Sequence, residues 1–122
     1  MSFILIIEDE SMLADTLREV LEDEGHDALT ASNGEEALRL LADKSPELVL
    51  LDLMLPRMDG LAFLAARAKD SRLRSIPVVV MSSASRAVVR DHAVAGFLSK
   101  PFRLDALLHL ISATLHEPDR TG

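Results

Sequence analysis

ELVLLDLMLPRMDG, residues 47–60, runs through four consecutive aliphatic residues into a single carboxylate, Asp52. Behind it lies a loop marked by Pro56 and Gly60. An apolar run of this length without polar alternation reads as a strand covered on both faces, as in a parallel sheet. Proline and glycine then end it in a turn. FILII (3–7) and IPVVVM (76–81) share the pattern, with weaker candidates at DALTA (27–31) and GFLS (96–99).

Helical patterns alternate with these runs. Leu13, Leu17, Val20 and Leu21 recur at helical spacing, and Gly25 follows as a stop signal. Asn33 is placed to cap a second helix over GEEALRLLADK. A third is expected from Gly60 to about Asp70, and a last one from Arg103, with Leu104, Leu107, Leu108, Ile111 and Leu115 on one face. SRAVVRDHAVA (85–95) reads as a fourth, weaker helix between them. Five strand–helix pairs specify an open, doubly wound α/β sheet with right-handed crossovers.

Composition narrows the function. A chain of 122 residues is one domain, and 48% hydrophobic with 27% charged residues is an ordinary globular balance. Thirteen basic against twenty acidic residues leave a formal charge of −7, and the only aromatics are four Phe, so direct nucleic-acid contact is not expected. No run is long enough for a signal peptide or a membrane span, so no membrane insertion is expected. The absence of cysteine excludes disulfides and thiolate metal sites and fits a cytoplasmic location. His26, His92, His109 and His116 show no metal-ligand spacing.

In doubly wound sheets, ligands bind beyond the carboxyl ends of the strands. There the first strand ends in Glu8 and Asp9, the third in Asp52, the fourth in Ser82 and Ser83, and the fifth in Lys100 before Pro101. Taken singly these are ordinary residues: helix-start acids with Ser11 as cap, a turn aspartate, a loop hydroxyl, a solvated lysine. Together they differ, because converging carboxylates do not all stay ionised cheaply without a cation. Oxygen donors of this kind suit Mg²⁺, with Mn²⁺ as a substitute. An ammonium and a hydroxyl beside them suit a transferred phosphoryl group.

The set Glu8–Asp9, Asp52 with MLPRMDG behind it, Ser82, and Lys100–Pro101–Phe102 closely resembles the receiver domain of two-component response regulators. The similarity spans residues 3 to 116, and DLMLPRMDG is its most specific piece. The resemblance implies a flavodoxin-like (βα)5 fold with strand order 2-1-3-4-5. It implies a receiver over residues 1–116 with a frayed tail over 117–122. It also implies that Asp52 is the phosphoacceptor, taking a phosphoryl group from the phosphohistidine of a histidine kinase or a phosphotransfer protein. Asp9 would be the direct Mg²⁺ ligand, Glu8 its water-mediated helper, and the Met54 backbone carbonyl a third protein ligand. Ser82 would bond one phosphoryl oxygen and Lys100 would neutralise another, while Ser82 and Phe97 would form the switch. Pro56, Gly60 and Pro101 would be structural, the Lys100–Pro101 peptide being commonly cis in such domains. The expected protein is a non-enzymatic phosphoacceptor, stand-alone or excised from a longer regulator, that signals to a downstream protein effector by contact or onward phosphotransfer.

Several positions depart from the family pattern. Ser82 replaces the commoner threonine, and Ser83 follows it; counting from Pro77 favours Ser82 as the active hydroxyl. Phe97 stands where Tyr is frequent, so it brings no hydroxyl to a partner. The span from Ser82 to Lys100 is short by about one helical turn, ~4 residues. The fourth helix is therefore expected to be short or atypical, and partner modes tied to it are not carried over. Met54 and Ala84 lie two residues beyond Asp52 and Ser82, and neither orients a hydrolytic water, so slow self-dephosphorylation is expected. Two rivals remain. One is a pseudo-receiver, an interaction module that is not phosphorylated. The other is a Mg²⁺-dependent phosphohydrolase of haloacid dehalogenase type, which wants an acid where Met54 stands.

Overall fold

The computed structural model describes residues 2–115; Met1, His116 and the 117–122 tail lie outside the described residues. Five strands form one parallel sheet: β1 (Phe3–Ile7), β2 (Asp27–Ala31), β3 (Leu48–Asp52), β4 (Val78–Ser82) and β5 (Gly96–Ser99). Their spatial order is β2-β1-β3-β4-β5, as the receiver resemblance implied. The helices are α1 (Ser11–Asp23), α2 (Gly34–Leu41), α3 (Gly60–Ala68) and α4 (Leu104–Leu115).

The long aliphatic runs are strands because both of their faces are covered. Leu5, Ile7, Val49, Leu51, Val78 and Val80 point to one face, against Ala37 and Leu41 of α2 and Phe63 and Leu64 of α3. Ile4, Ile6, Leu48, Leu50, Val79 and Met81 point to the other, against Leu17 and Leu21 of α1 and Leu107 and Ile111 of α4. Side chains alternate faces along a strand, so each run divides evenly between two cores. A large aliphatic side chain buried this way is worth about 1.5–3 kcal/mol relative to exposure. The sheet is thereby anchored through its three central strands.

Local signals set the boundaries. Asn33 accepts a hydrogen bond from the Glu36 N–H (2.9 Å), and the Glu36 carboxylate accepts one from the Ser32 N–H in return, the reciprocal capping arrangement. Asp59 caps α3 through the Ala62 N–H. Ser11 is not a cap: Glu10 holds the N-cap position of α1 without a side-chain cap bond, and Ser11 is the first helical residue. Gly25, at φ 94°, turns the chain after α1. Helix α3 stops two residues short of expectation, because the Asp70 carboxylate accepts from the Arg72 and Leu73 N–H groups and draws the chain into a new turn.

Residues 85–95 contain a single 3₁₀ turn, Arg86–Val89, in place of a fourth α-helix. Ser85 caps it through the Ala87 N–H. Val89 and Val94 are the side chains that reach the core. A spacing of five does not place two residues on one helical face, so no apolar stripe holds a helix here. Arg67 of α3 secures this connection instead. Its buried guanidinium donates to the carbonyl oxygens of Arg74 (3.1 Å), Ile76 (2.8 Å) and Ala93 (3.1 Å). Burial lowers the Arg67 pKa, yet its reference value is so high that the group stays charged.

Arg67→Ala leaves those three carbonyls without their donor. The expected loss of stability is about 2–4 kcal/mol, read from urea unfolding at unchanged m. A loss below about 0.5 kcal/mol, the usual size of a neutral surface change, contradicts the clamp.

Candidate functional site

Parallel register brings the carboxyl ends of the strands level. Ile7 pairs with Leu51, Asp52 with Met81, and Ser82 with Ser99. The ladder runs on past the strand ends: the Glu8 N–H donates to the Ala31 carbonyl (2.9 Å) and the Lys100 N–H to the Ser82 carbonyl (2.8 Å). Backbone pairing therefore fixes Glu8, Asp52, Ser82 and Lys100 at one edge. The Lys100–Pro101 peptide is cis.

At this edge the Lys100 Nζ lies 3.0 Å from Glu8 Oε1 and 3.4 Å from Asp52 Oδ2. Glu8 and Asp52 are almost wholly buried, at 2% and 3% exposure, whereas Asp9 faces solvent. Glu8 Oε2 also accepts from the Glu10 N–H (3.1 Å), and Asp52 Oδ1 from the Met54 N–H (3.1 Å). One oxygen each of Glu8, Asp9 and Asp52 lies within 4.8 Å of the others. Unit charges about 4 Å apart interact by roughly 4 kcal/mol at an effective dielectric near 20. Three mutual carboxylate repulsions thus face two ammonium contacts of similar size, and the cluster stays short of positive charge.

Titration follows from that shortage. Burial pushes the Glu8 pKa up and the nearby Asp52 charge adds to the rise; the hydrogen bonds from Lys100 and Glu10 only partly oppose it. Burial pulls Lys100 down, but its bond to Glu8 and the charges of Asp52 and Glu8 outweigh this, so its pKa is raised. Lysine stays protonated and Glu8 is the strained acid. Two buried carboxylates and an exposed one make a hard-oxygen donor set open to water on one side, which fits Mg²⁺.

The loop behind Asp52 is held by close backbone contacts. A Cβ on Gly60 would lie 2.5 Å from Leu53 Cα and 2.8 Å from the Asp52 carbonyl oxygen, so no larger residue fits there. The Gly60 N–H donates to the Leu53 carbonyl (3.0 Å). From the other side, the Gly34 N–H at the start of α2 donates to the Met58 carbonyl (3.0 Å), and Arg57, at φ 61°, pairs with Glu35. Met54 and Pro56 sit on the exposed outer part of this loop.

The remaining expected residues fall around the cluster. Ser82 is fully buried at the end of β4, and its Oγ accepts from the Ala84 N–H (2.9 Å); Ser83 is exposed. Phe97 sits on β5 opposite Val80, half-buried against the core, three residues before Lys100 and outside the carboxylate cluster. Glu10 is a surface acid. Sequence reading missed two things. Glu8, expected beside a water, is the nearer partner of Lys100, and nothing local links residues 92 positions apart. Arg67 was not singled out, although its i+4 spacing from buried Phe63 places it on the buried face.

Comparison with known proteins agrees with this geometry. Residues 4–112 match the family model described as the response regulator receiver domain. Protein PilG of Pseudomonas aeruginosa is 33% identical, over 97% of this chain and 89% of its own length. The transcriptional regulator RpaA of a Synechocystis species is 32% identical, but the chain spans only 50% of its length. Among solved structures, the signal receiver domain of a histidine kinase from Syntrophus aciditrophicus superposes with a TM-score of 0.90 at 32% identity, covering 100% of this chain and 96% of that one.

Because the folded state raises the Glu8 pKa, the proton is held more tightly folded than unfolded, and stability is lost as pH rises through the folded value. In divalent-free buffer, Glu8→Gln should therefore raise the thermal midpoint at pH 7.5 by roughly 2–5 °C. The gain should shrink as the pH is lowered and wild-type Glu8 takes up its own proton. A lower midpoint for the variant at pH 7.5 contradicts the charge shortage.

Proposed function

The chain belongs to the response regulator receiver family, and from that premise we propose that it accepts a phosphoryl group on Asp52. Receiver domains are phosphoacceptor switches, generally not classed as enzymes, and in two-component systems they interact with histidine kinases and effectors. The observation that carries the proposal is the Lys100 ammonium between buried Glu8 and Asp52, with exposed Asp9 completing the acidic rim.

Asp52 is the nucleophile. One of its carboxylate oxygens attacks phosphorus of a phosphohistidine; a P–O bond forms, the P–N bond breaks with its electron pair going to nitrogen, and the donor ring, already protonated on its other nitrogen, leaves as neutral imidazole. Two neighbours hold the Asp52 side chain for this: the Met54 N–H on Oδ1 and Lys100 near Oδ2. Fixing the nucleophile removes orientational freedom from the barrier. Lys100 can turn from Glu8 to an incoming phosphoryl oxygen, and the Ser82 hydroxyl, one residue past the partner of Asp52 on β4, can bond another. Glu8, Asp9, Asp52 and the Met54 carbonyl are the proposed holders of Mg²⁺ (or Mn²⁺), which when bound neutralises phosphoryl oxygens and the acidic cluster.

The product is an acyl phosphate, which hydrolyses, so the mark is temporary. Ser82 and Phe97 are the proposed switch pair, Phe97 through ring burial alone since it bears no hydroxyl. The donor is a histidine kinase or phosphotransfer protein and the output a downstream protein effector, reached by contact or onward phosphotransfer. The proposed setting is the cytoplasm, and the proposed receiver unit runs over residues 1–116. No described helix is long and apolar enough to cross a membrane.

Incubation with a small phosphodonor and Mg²⁺ should add one phosphoryl mass to the intact chain, and Asp52→Asn should abolish the gain. No gain with any donor favours the pseudo-receiver. Met54 and Ala84 are exposed and place no polar side chain over Asp52. The isolated phosphoprotein should therefore lose its label slowly; a half-life of seconds contradicts that reading.

A further inference from the structure

Met54 is 70% exposed, and its backbone N–H is hydrogen-bonded to Asp52 Oδ1 at 3.1 Å. Met12, at the second residue of α1 and three past Asp9, is 79% exposed. They are the two most exposed large apolar side chains among the described residues. Met81, by contrast, is buried, and Met58 packs against the core beside Gly34. The thioethers open to solvent thus belong to the segments that carry the acidic site.

A thioether beside uncompensated carboxylates has a defined chemistry. When hydrogen peroxide oxidises it, the sulfur lone pair attacks one peroxide oxygen; an S–O bond forms and the O–O bond breaks. The proton on the transferred oxygen passes to the departing hydroxide, which leaves as water. Sulfur is oxidised by two electrons and the peroxide is reduced by two. Positive charge develops on sulfur during this step, and a negative field stabilises it. Glu8, Asp9 and Asp52, with an oxygen of each within 4.8 Å of the others, supply that field.

We propose that Met54 is a peroxide modification site whose sulfoxide shortens the lifetime of phosphorylated Asp52. The effect on lifetime rests on Asp52 being the phosphoacceptor. Oxidation turns a weakly accepting thioether into a polar sulfoxide two residues beyond Asp52. Its oxygen can accept a hydrogen bond from a water and orient that water towards phosphorus, which lowers the barrier to attack. Water then bonds to phosphorus, the P–O bond to Asp52 breaks, and inorganic phosphate leaves with the carboxylate restored. Reduction of the sulfoxide returns the site to its slow state.

The test uses the whole chain in two steps. Unphosphorylated protein is first treated with hydrogen peroxide in divalent-free buffer beside N-acetylmethionine amide, and oxidation is mapped by peptide mass. Met54 should react at least as fast as the free amide, although protein covers part of it. Mg²⁺ should slow Met54 by about twofold or more without slowing the amide, because the ion fills the charge deficit. Treated and untreated chains are then phosphorylated with a small phosphodonor and followed by intact mass. Treated wild type should lose its label roughly fivefold faster or more. Met12→Leu should keep this acceleration, Met54→Leu should lose it, and methionine sulfoxide reductases should reverse it. Slow, Mg²⁺-indifferent oxidation of Met54, an unchanged label lifetime in treated wild type, or equal acceleration in Met54→Leu overturns the proposal. No label on the untreated chain fails the reading of Asp52 and with it the effect on lifetime, while the oxidation step still decides whether Met54 is a modification site.

Discussion

One ammonium serving two buried carboxylates is the constraint on which the rest of this structure depends. Lys100 reaches Glu8 and Asp52 from the end of β5, and those acids end β1 and β3, so a single charge ties together three of the five strands. Removing the ammonium from such an arrangement typically costs about 3–5 kcal/mol, because it leaves the buried carboxylates uncompensated. Here even the intact arrangement leaves a deficit, since Asp9 adds a third carboxylate at the rim. The site is stable enough to form and electrostatically incomplete. That incompleteness is what a phosphoacceptor can use.

The scaffold keeps the incompleteness in place. Two cores of aliphatic side chains, one on each face, lock the strand register, and register alone sets Asp52 level with Met81 and Ser82 level with Ser99. Gly60 lets the following helix start against the backbone of Asp52 and Leu53, and Gly34 brings α2 against Met58. Sheet, loop and helix start therefore constrain the same few atoms. The β4–β5 connection is built differently: a buried arginine bonding three carbonyls replaces the apolar stripe of a helix. That substitution leaves Arg86 and Arg90 facing outward over an apolar floor.

Much of this was legible in the sequence, for identifiable reasons. Unbroken runs such as LVLLD announce strands covered on both faces, and the strand-end rule then gathers Glu8, Asp9, Asp52, Ser82 and Lys100 at one edge. Asn33 and Gly25 act through local chemistry and were readable as cap and stop. Contacts between distant residues were not readable. The Glu8–Lys100 pair depends on β1 and β5 reaching a common edge with β3 and β4 between them, and no pattern within either segment encodes that. Residues 85–95 were half readable: the short span from Ser82 to Lys100 announced a short or atypical fourth helix, but a helical composition hid that the two positions reaching the core are spaced by five. Ser11 looked like a cap because its type suits one, yet the chain turns one residue earlier, at Glu10.

The claim that the carboxylate cluster is short of positive charge is tested most directly by the Mg²⁺ dependence of unfolding free energy. Wild type and Asp9→Asn would be compared by urea unfolding at constant ionic strength, with Mg²⁺ replacing Na⁺. Wild-type stability should climb with Mg²⁺ as the folded state binds it, and the Asp9→Asn curve should be markedly flatter. Identical responses in the two proteins, or no response in wild type, would contradict the account.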